Sequence, residues 1–431
     1  MMERTTCCVV GGGPAGMVLA LLLARAGVEV TVLEKHGDFL RDFRGDTVHP
    51  STLALLDDLG LAGRFARLPQ RRVRTVRLPL GDGRSPVTVA DLSVLRGPYN
   101  YVAMVPQWDL LDLLAAEARR EASFHLRMNT EATALLTEGG RVTGVRYRTS
   151  DGGTGELRAV LTVACDGRGS LARGRPELGL RRFGCPMDAW WFRLPRRESD
   201  PSGLVGGAGD RFLTAMIDRG DYWQCAALIR KGTDRRRRAA GLDRFRADFG
   251  AAVPWIADRT GRIGSWDEVR LLDVRLDRLR RWHRPGLLCI GDAAHAMSPV
   301  FGIGINLAVE DAVAAARYLA APLRRGTVGC ATSAGCSAGA APPRSSPRRC
   351  SGRPTPGSSP RCWTDGRRSG ARRAPGASPH WSPDRGSAGS RRTSSDTARC
   401  GSARRRRRSG SRRPRTVPPH RGPPDVRSGR P

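Results

Sequence analysis

The chain has 431 residues and a formal charge of +32, carried almost wholly by arginine, since Lys35 and Lys231 are the only lysines. Residues 1–325 hold 49 basic and 37 acidic side chains, whereas residues 326–431 hold 24 Arg against 4 Asp. The length allows two or three domains, but the basicity that would mark a nucleic-acid protein sits mostly in the tail, so no specific nucleic-acid partner is expected.

The first strand is predicted over "TTCCVV", residues 5–10. It runs into "GGGPAG", in which Gly11, Gly13 and Gly16 fit GxGxxG, and a helical "MVLALLLARAG" follows. "VEVTVLE" reads as a second strand that ends in Glu34, about twenty residues on. Strand, glycine loop, helix, strand and acid together make a dinucleotide fingerprint. The glycines permit a tight turn and close approach of a diphosphate, and the helix start offers unpaired N–H groups. Glu34 is placed to accept hydrogen bonds from a ribose. The fingerprint alone leaves FAD and NAD equally open. The apolar "MVLALLLA" is too short to span a membrane and follows a glycine loop, so neither a signal peptide nor a membrane span is expected.

"FRGDTVHPSTLALLDDLGL" (43–61) begins as a loop and becomes a helix at Pro50 or Ser51. Arg44 has a planar fork suited to phosphate, against an ordinary surface arginine as the commoner role. "LTVACDGRGSLAR" (161–173) is a third strand, closed by Asp166-Gly167. "DAWWFRLPR", "FLTAMID" and "WQCAALIRKG" read as strands of a second, sheet-based layer over residues 176–265, with "VRTVRLPL" and "VTVADL" as candidate additions to the same sheet. Trp190, Trp191, Phe192, Met216, Tyr222 and Trp223 are candidates for an aromatic pocket, against an ordinary core as the commoner role. "VGGAG" (205–209) has no following helix and no downstream acid, so it is not a second dinucleotide site. "RRRR" at 235–238 reads as a solvated face. "CIGDAAHAMSPVFGIGINLAVEDA" (289–312) places Gly291-Asp292 after a short strand, then Pro299, Gly302, Gly304 and Asn306 ahead of a helix. So many permissive residues suggest that a ligand lies against this backbone. The aspartates after both strands suit hydroxyl-rich ligands, or else cap helices.

The tail has no Leu, Ile, Phe or Met and only three Val, so it is read as disordered. Of its 106 residues, 97 have codons with G or C in the middle position. A one-base slip near Thr327 in a GC-rich gene would produce this, which makes a shifted reading frame the expectation. An evolved anion- or RNA-binding tail is the rival. The six cysteines of residues 1–325 show no metal spacing, and a reduced, cytoplasmic protein without a metal is expected.

GxGxxG, then DG, then GD in this order resembles the FAD-dependent aromatic hydroxylases, the single-component flavin monooxygenases of the p-hydroxybenzoate hydroxylase fold. The resemblance covers residues 3 to about 325. It implies an α/β architecture: a Rossmann-like FAD-binding domain in three parts (1–72, 99–175 and 266–325), with an inserted β-sheet substrate domain (73–98 and 176–265) and the tail at 326–431. It implies that Gly11, Gly13, Gly16 and Glu34 hold the ADP half of FAD, with Pro14, Ala15 and Lys35 beside them. Arg44 and Gln107 match cofactor contacts. Asp166, with Gly167, matches the DG acid implicated in FAD and NAD(P)H binding. Asp292, with Gly291, matches the acid on the ribityl chain. Pro299 matches the proline whose carbonyl lies near the reacting edge of the flavin, and Gly302, Gly304, Ile305 and Asn306 complete that loop. The helix starting near Asn306 would aim its positive end at the flavin N1/O2 side. His295 is expected to bind loop backbone behind the flavin, with a catalytic base as the alternative.

The implied activity is hydroxylation of an aromatic or similar small molecule by NAD(P)H and dioxygen, through a C4a-hydroperoxyflavin, with no protein nucleophile. Reductases of the same fold, or a chain left without activity, are the rivals. A halogenase is disfavoured because the WxWxIP-type signature is absent. The family pattern continues as an ordered segment after the GD helix, and this chain departs from it there. Substrate identity, NADH against NADPH, and oligomeric state stay open.

Overall fold

The computed structural model describes residues 3–40, 47–78, 87–209, 212–299 and 302–328. Arg44 and the tail beyond residue 328 lie outside the described residues. An eight-stranded sheet is built around Glu3–Val10. On one side lie Val30–Leu33 and then Phe124–Arg127; on the other lie Thr154–Ala164 and then Leu287–Cys289, all parallel. The antiparallel strands Arg141–Thr149 and Thr130–Glu138 branch from the first half of Thr154–Ala164. Val30–Leu33 is buried at every position, as a strand covered on both faces must be.

The helix Pro14–Arg25 is buried without a break from Ala15 to Ala24. It has no polar face because it is packed between the sheet and the helices Gln107–Ala118 and Gly304–Arg324. Each of its buried leucines contributes about 1.5–3 kcal/mol of transfer free energy.

The second layer is an antiparallel five-stranded sheet in the order Leu204–Ala208, Leu213–Asp218, Tyr222–Arg230, Met187–Pro195, Arg270–Leu272. Its last strand comes from beyond residue 265. One face carries Trp190, Phe192, Met216 and Trp223, all fully buried under the helix Leu242–Ala252 and the turns at Pro254–Arg262. Trp190 and Phe192 meet Phe245 and Phe249 edge to face at 5.1 and 4.9 Å. These four pocket candidates are therefore core. Tyr222 is half-buried beneath the Arg193 guanidinium. Trp191 turns to the other face, which Tyr222 shares, and packs against the cluster of Val73, Val102, Met104 and Ile217.

The buried pair Arg259–Asp200 closes the layer with bonds of 2.6 and 3.0 Å, and Trp223 Nε1 donates to the same carboxylate at 2.8 Å. Burial pushes the Asp200 pKa up, but the Arg259 hydrogen bonds outweigh it and hold it well below the usual carboxylate range.

Thr75–Leu78 and Val87–Asp91 form a two-stranded ribbon of their own, packed beside Leu204–Ala208 instead of extending the five-stranded ladder. The arginine run is likewise not one solvated face. Arg235 and Arg236 are exposed, but Arg237 lies over Phe212, and Arg238 stacks on Trp266 and donates to the carbonyls of Trp266 and Val269. Among the described residues no helix is long and apolar enough to cross a membrane, and no cluster of His, Cys, Asp or Glu could hold a metal ion.

Candidate functional site

Three loops leave the carboxyl ends of the parallel strands and meet. In the first, Gly11 adopts φ +102°, and a Cβ there would stand 2.6 Å from the Cys165 carbonyl oxygen. A Cβ on Gly16 would stand 2.0 Å from the Gly11 oxygen. Both glycines are dictated by clearance. At Gly13 a Cβ meets nothing within 4 Å, so this position faces open space. The helix that starts at Pro14 has no side-chain cap, and its first ladder bond runs from Met17 N to Gly13 O at 2.9 Å. The amides of Ala15 and Gly16 are left as donors. Glu34 is buried, its Oε2 accepting from Gly12 N at 2.8 Å and its Oε1 from His36 N at 3.0 Å. These bonds fix its carboxylate beside the glycine loop. Lys35 is exposed and borders a surface groove with Asn129 and Arg148. Gln107 is half-buried at the first position of its helix.

The second loop abuts the first. Asp166 Cα lies 2.9 Å from where a Gly11 Cβ would be, and Gly167 takes φ +75°. Asp166 Oδ2 accepts from Leu171 N at 3.0 Å, whereas its enclosed Oδ1 has no partner among the described residues. Burial pushes the pKa of this carboxyl up.

The third loop contains Gly291 (φ +58°), whose Cβ would come within 3.1 Å of Ala15 Cβ and 3.3 Å of Ala308 Cβ. The turn is thus wedged between the starts of two helices. Gly291 N donates to Asp311 Oδ2 at 2.8 Å, and His295 Nε2 shares that oxygen at 2.7 Å while its ring lies on Trp282. The expectation for His295 is corrected: it binds a buried helix carboxylate, not loop backbone. Arg173, itself buried, donates to the Asp292 carbonyl and pairs with buried Asp277.

The Pro299 carbonyl accepts from Gly302 N at 2.9 Å, which takes up one of its two lone pairs. Gly302 has φ +62°; a Cβ there would meet Thr47 Oγ1 at 2.2 Å, and its carbonyl accepts from the Thr47 hydroxyl. The helix begins at Gly304, not Asn306, again without a side-chain cap, and Gly304 faces open space. Ile305 is buried. The Asn306 side chain ties segments together: Oδ1 accepts from His49 N (2.9 Å) and Thr52 Oγ1 (2.7 Å), and Nδ2 donates to the Thr47 carbonyl (3.2 Å). Its carbonyl oxygen is thus occupied by the protein, and Asn306 acts as a clamp between segments.

Arg173, Asp277, Asp311 and Thr47 were not anticipated. Asp311 carried a signal, an acid on the apolar face shared by Ile305, Ala308, Ala312 and Ala315 of its helix.

The five buried thiols, Cys7, Cys8, Cys165, Cys225 and Cys289, form no disulfide, and burial pushes each up, Cys8 to about 12. They are inert core residues.

Two uncapped helix starts, a fixed acceptor at Glu34, glycines open at 13 and 304, and the unpartnered Asp166 oxygen fit a dinucleotide with an attached ring system. The helix starts suit its diphosphate, and the acids suit its sugar hydroxyls.

Comparison with known proteins agrees. A family model described as FAD binding domain matches residues 4–331. Over 328 residues the chain is 36% identical to 6-methylpretetramide 4-monooxygenase of Streptomyces rimosus, covering 75% of this chain and 77% of that one. The anhydrotetracycline hydroxylase OxyS of the same organism superimposes with a TM-score of 0.61 at 26% identity, over 78% of this chain and 65% of that one. PqsL of P. aeruginosa, solved with 2-aminobenzoylacetate, shares the fold with a TM-score of 0.66 at 22% identity, over 78% of this chain and 91% of that one. With three loops of matching chemistry and a family match spanning them, the chain belongs to the FAD-dependent aromatic hydroxylases, a family of flavin monooxygenases.

Proposed function

We propose that this monooxygenase hydroxylates a fused-ring phenolic compound with NAD(P)H as the electron donor. The balance is substrate C–H plus dioxygen, NAD(P)H and a proton, giving substrate C–OH, water and NAD(P)⁺. The observation that carries this reading is the 36% identity to an enzyme named for a 4-hydroxylation of 6-methylpretetramide.

The second layer supports it. On the sheet face opposite the aromatic core, Gly206, Ala215, Ala226 and Trp191 are cross-strand neighbours in one row. Three small residues beside one indole give an apolar strip that Arg270 closes at the Trp191 end, and Ala215 and Leu213 on this face are exposed. The Met104 strand, which pairs with Thr47, packs beneath this face, and Thr47 reaches Gly302.

Bound FAD supplies hydride acceptance and activation of dioxygen. In this reading the helix starts at Pro14 and Gly304 bind the diphosphate and stabilise negative charge on the reduced ring. Glu34, Asp166 and Asp292 orient the sugar and ribityl hydroxyls. The backbone at Pro299 and at Gly302 to Gly304, with the apolar strip of the sheet, holds the substrate and excludes water. A cytoplasmic location and a reading-frame shift near Thr327 belong to the same proposal; the family match stops at residue 331, just past the change in composition.

The test is an anaerobic titration of the flavin-loaded full chain with NADPH and NADH, followed by aeration with fused-ring phenols and mass analysis of products. A gain of one oxygen atom is expected. Bleaching followed only by peroxide release across such phenols would overturn the substrate class. A protein that takes up no flavin would overturn the whole reading. Resequencing the gene without finding an inserted or missing base would remove the frame shift.

A further inference from the structure

Beside the three loops lies a small antiparallel sheet of Leu180–Phe183, Leu276–Leu279 and His295–Ala296. In its register Arg181 stands directly opposite Arg278, and Arg278 directly opposite His295. Both arginines are exposed, and neither meets a carboxylate among the described residues; Arg181 lies over the exposed ring of Phe183 at 4.9 Å. Asp277, the acid of these strands, is on the opposite face and is already held by Arg173. Arg280 and Arg281 follow in sequence, both exposed.

Like charges directly across a ladder destabilise a sheet. Two unbalanced guanidinium groups placed in register therefore favour an anion that spans them. Their planar forks suit phosphate oxygens. The position of the row matters too: Arg278 is one strand from His295, hence beside the Gly291–Ala296 turn to which the proposed function assigns the ribityl contact.

We propose that Arg181 and Arg278 dock the diphosphate of the nicotinamide nucleotide, which rests on the reading that NAD(P)H is the electron donor. The nucleotide lies across the small sheet, its phosphates in the two forks and its reactive ring directed past the GD turn. It uses no Rossmann domain of its own. Phe183 gives an apolar edge beside the phosphates.

The test uses the flavin-loaded full chain under anaerobic stopped flow, with the flavin band followed against nucleotide concentration and inorganic pyrophosphate as competitor. Arg181→Gln/Arg278→Gln is expected to raise the half-saturating nucleotide concentration about tenfold or more, as loss of charged hydrogen bonds does. The limiting rate of reduction and the flavin spectrum stay unchanged. Pyrophosphate should compete in the unsubstituted protein and not in the double variant. Arg278→Gln alone should give a smaller shift of the same kind, which keeps the test readable if the double variant loses flavin. Arg182→Gln, on the other face of the same strand, should shift nothing. Undiminished affinity in both variants, or an equal shift from Arg182→Gln, overturns the docking site while leaving the nucleotide reading intact. A flavin-loaded protein reduced by neither nucleotide overturns both.

Discussion

At Pro14 the start of a helix is set by clearance, with two glycines admitting backbone that no side chain could pass. At Gly304 a helix start of the same kind is set by attachment. Asn306 is tied to His49, Thr47 and Thr52, Asp311 holds the Gly291 amide and His295, and Arg173 bridges Asp277 to the Asp292 carbonyl. Both starts are uncapped. A positive helix end aimed at a ligand thus arises either from missing atoms or from added ones, and the two devices fail differently.

The strongest way to break the attached side is Asp277→Ala. It strands the Arg173 charge in a buried site, where the side chains are 6% and 4% exposed. The expected loss is about 3–5 kcal/mol, read as a shift of the urea midpoint of the flavin-free protein. On the clearance side, Gly16→Ala drives a methyl group into a backbone oxygen 2.0 Å away. About 3 kcal/mol should be lost, with flavin content near zero in the purified protein.

Gly13→Ala sharpens the contrast. Its φ of −74° and ψ of −177° are open to any residue and its Cβ position is empty, so stability should stay within about 0.5 kcal/mol. Flavin affinity should nevertheless fall about tenfold, because the methyl group enters the ligand's space; equilibrium dialysis of FAD would show it, and unaltered affinity would place the diphosphate elsewhere.

The smallest effect concerns Asp166. Its pKa is raised by burial, so the folded state holds the proton more tightly than the unfolded chain. This group therefore favours folding most below the ordinary aspartate pKa. That contribution fades as pH climbs from the ordinary value to the raised one. Asp166→Asn should raise the neutral-pH stability of the flavin-free protein and leave that at low pH little changed, checked by thermal unfolding at pH 4 and pH 7. No change between the two proteins across that range would mean that the carboxylate is solvated.

The comparison also explains what could be read in advance. The clearance glycines are legible locally: Gly11 and Gly16 lie in one loop that the strand–loop–helix pattern announces, even though the backbone Gly11 clears belongs to Cys165 and Asp166. So is Glu34, fixed by strand length. Attachment is not local. Arg173 and Asp277 are 104 residues apart, and Asn306 meets partners more than 250 residues away. Nothing in either segment names the other. Asn306 and His295 stand out in the sequence of their loop, but their side chains serve partners that only the folded chain supplies. The tryptophans of the second layer were ambiguous for another reason. Alternation along a strand separates two faces without saying which one a helix will cover, and the helix Leu242–Ala252 covers the face with Trp190.

Gly291 sits with room for a hydrogen atom and little more between Ala15 and Ala308, one from each helix start. These three positions form a lock that no single segment owns. Recombining residues 1–175 of one relative with residues 266–325 of another should give a folded chimera only when all three parental residues stay small. Any library that diversifies the Ala15 turn must therefore carry the Ala308 helix along as the same building block.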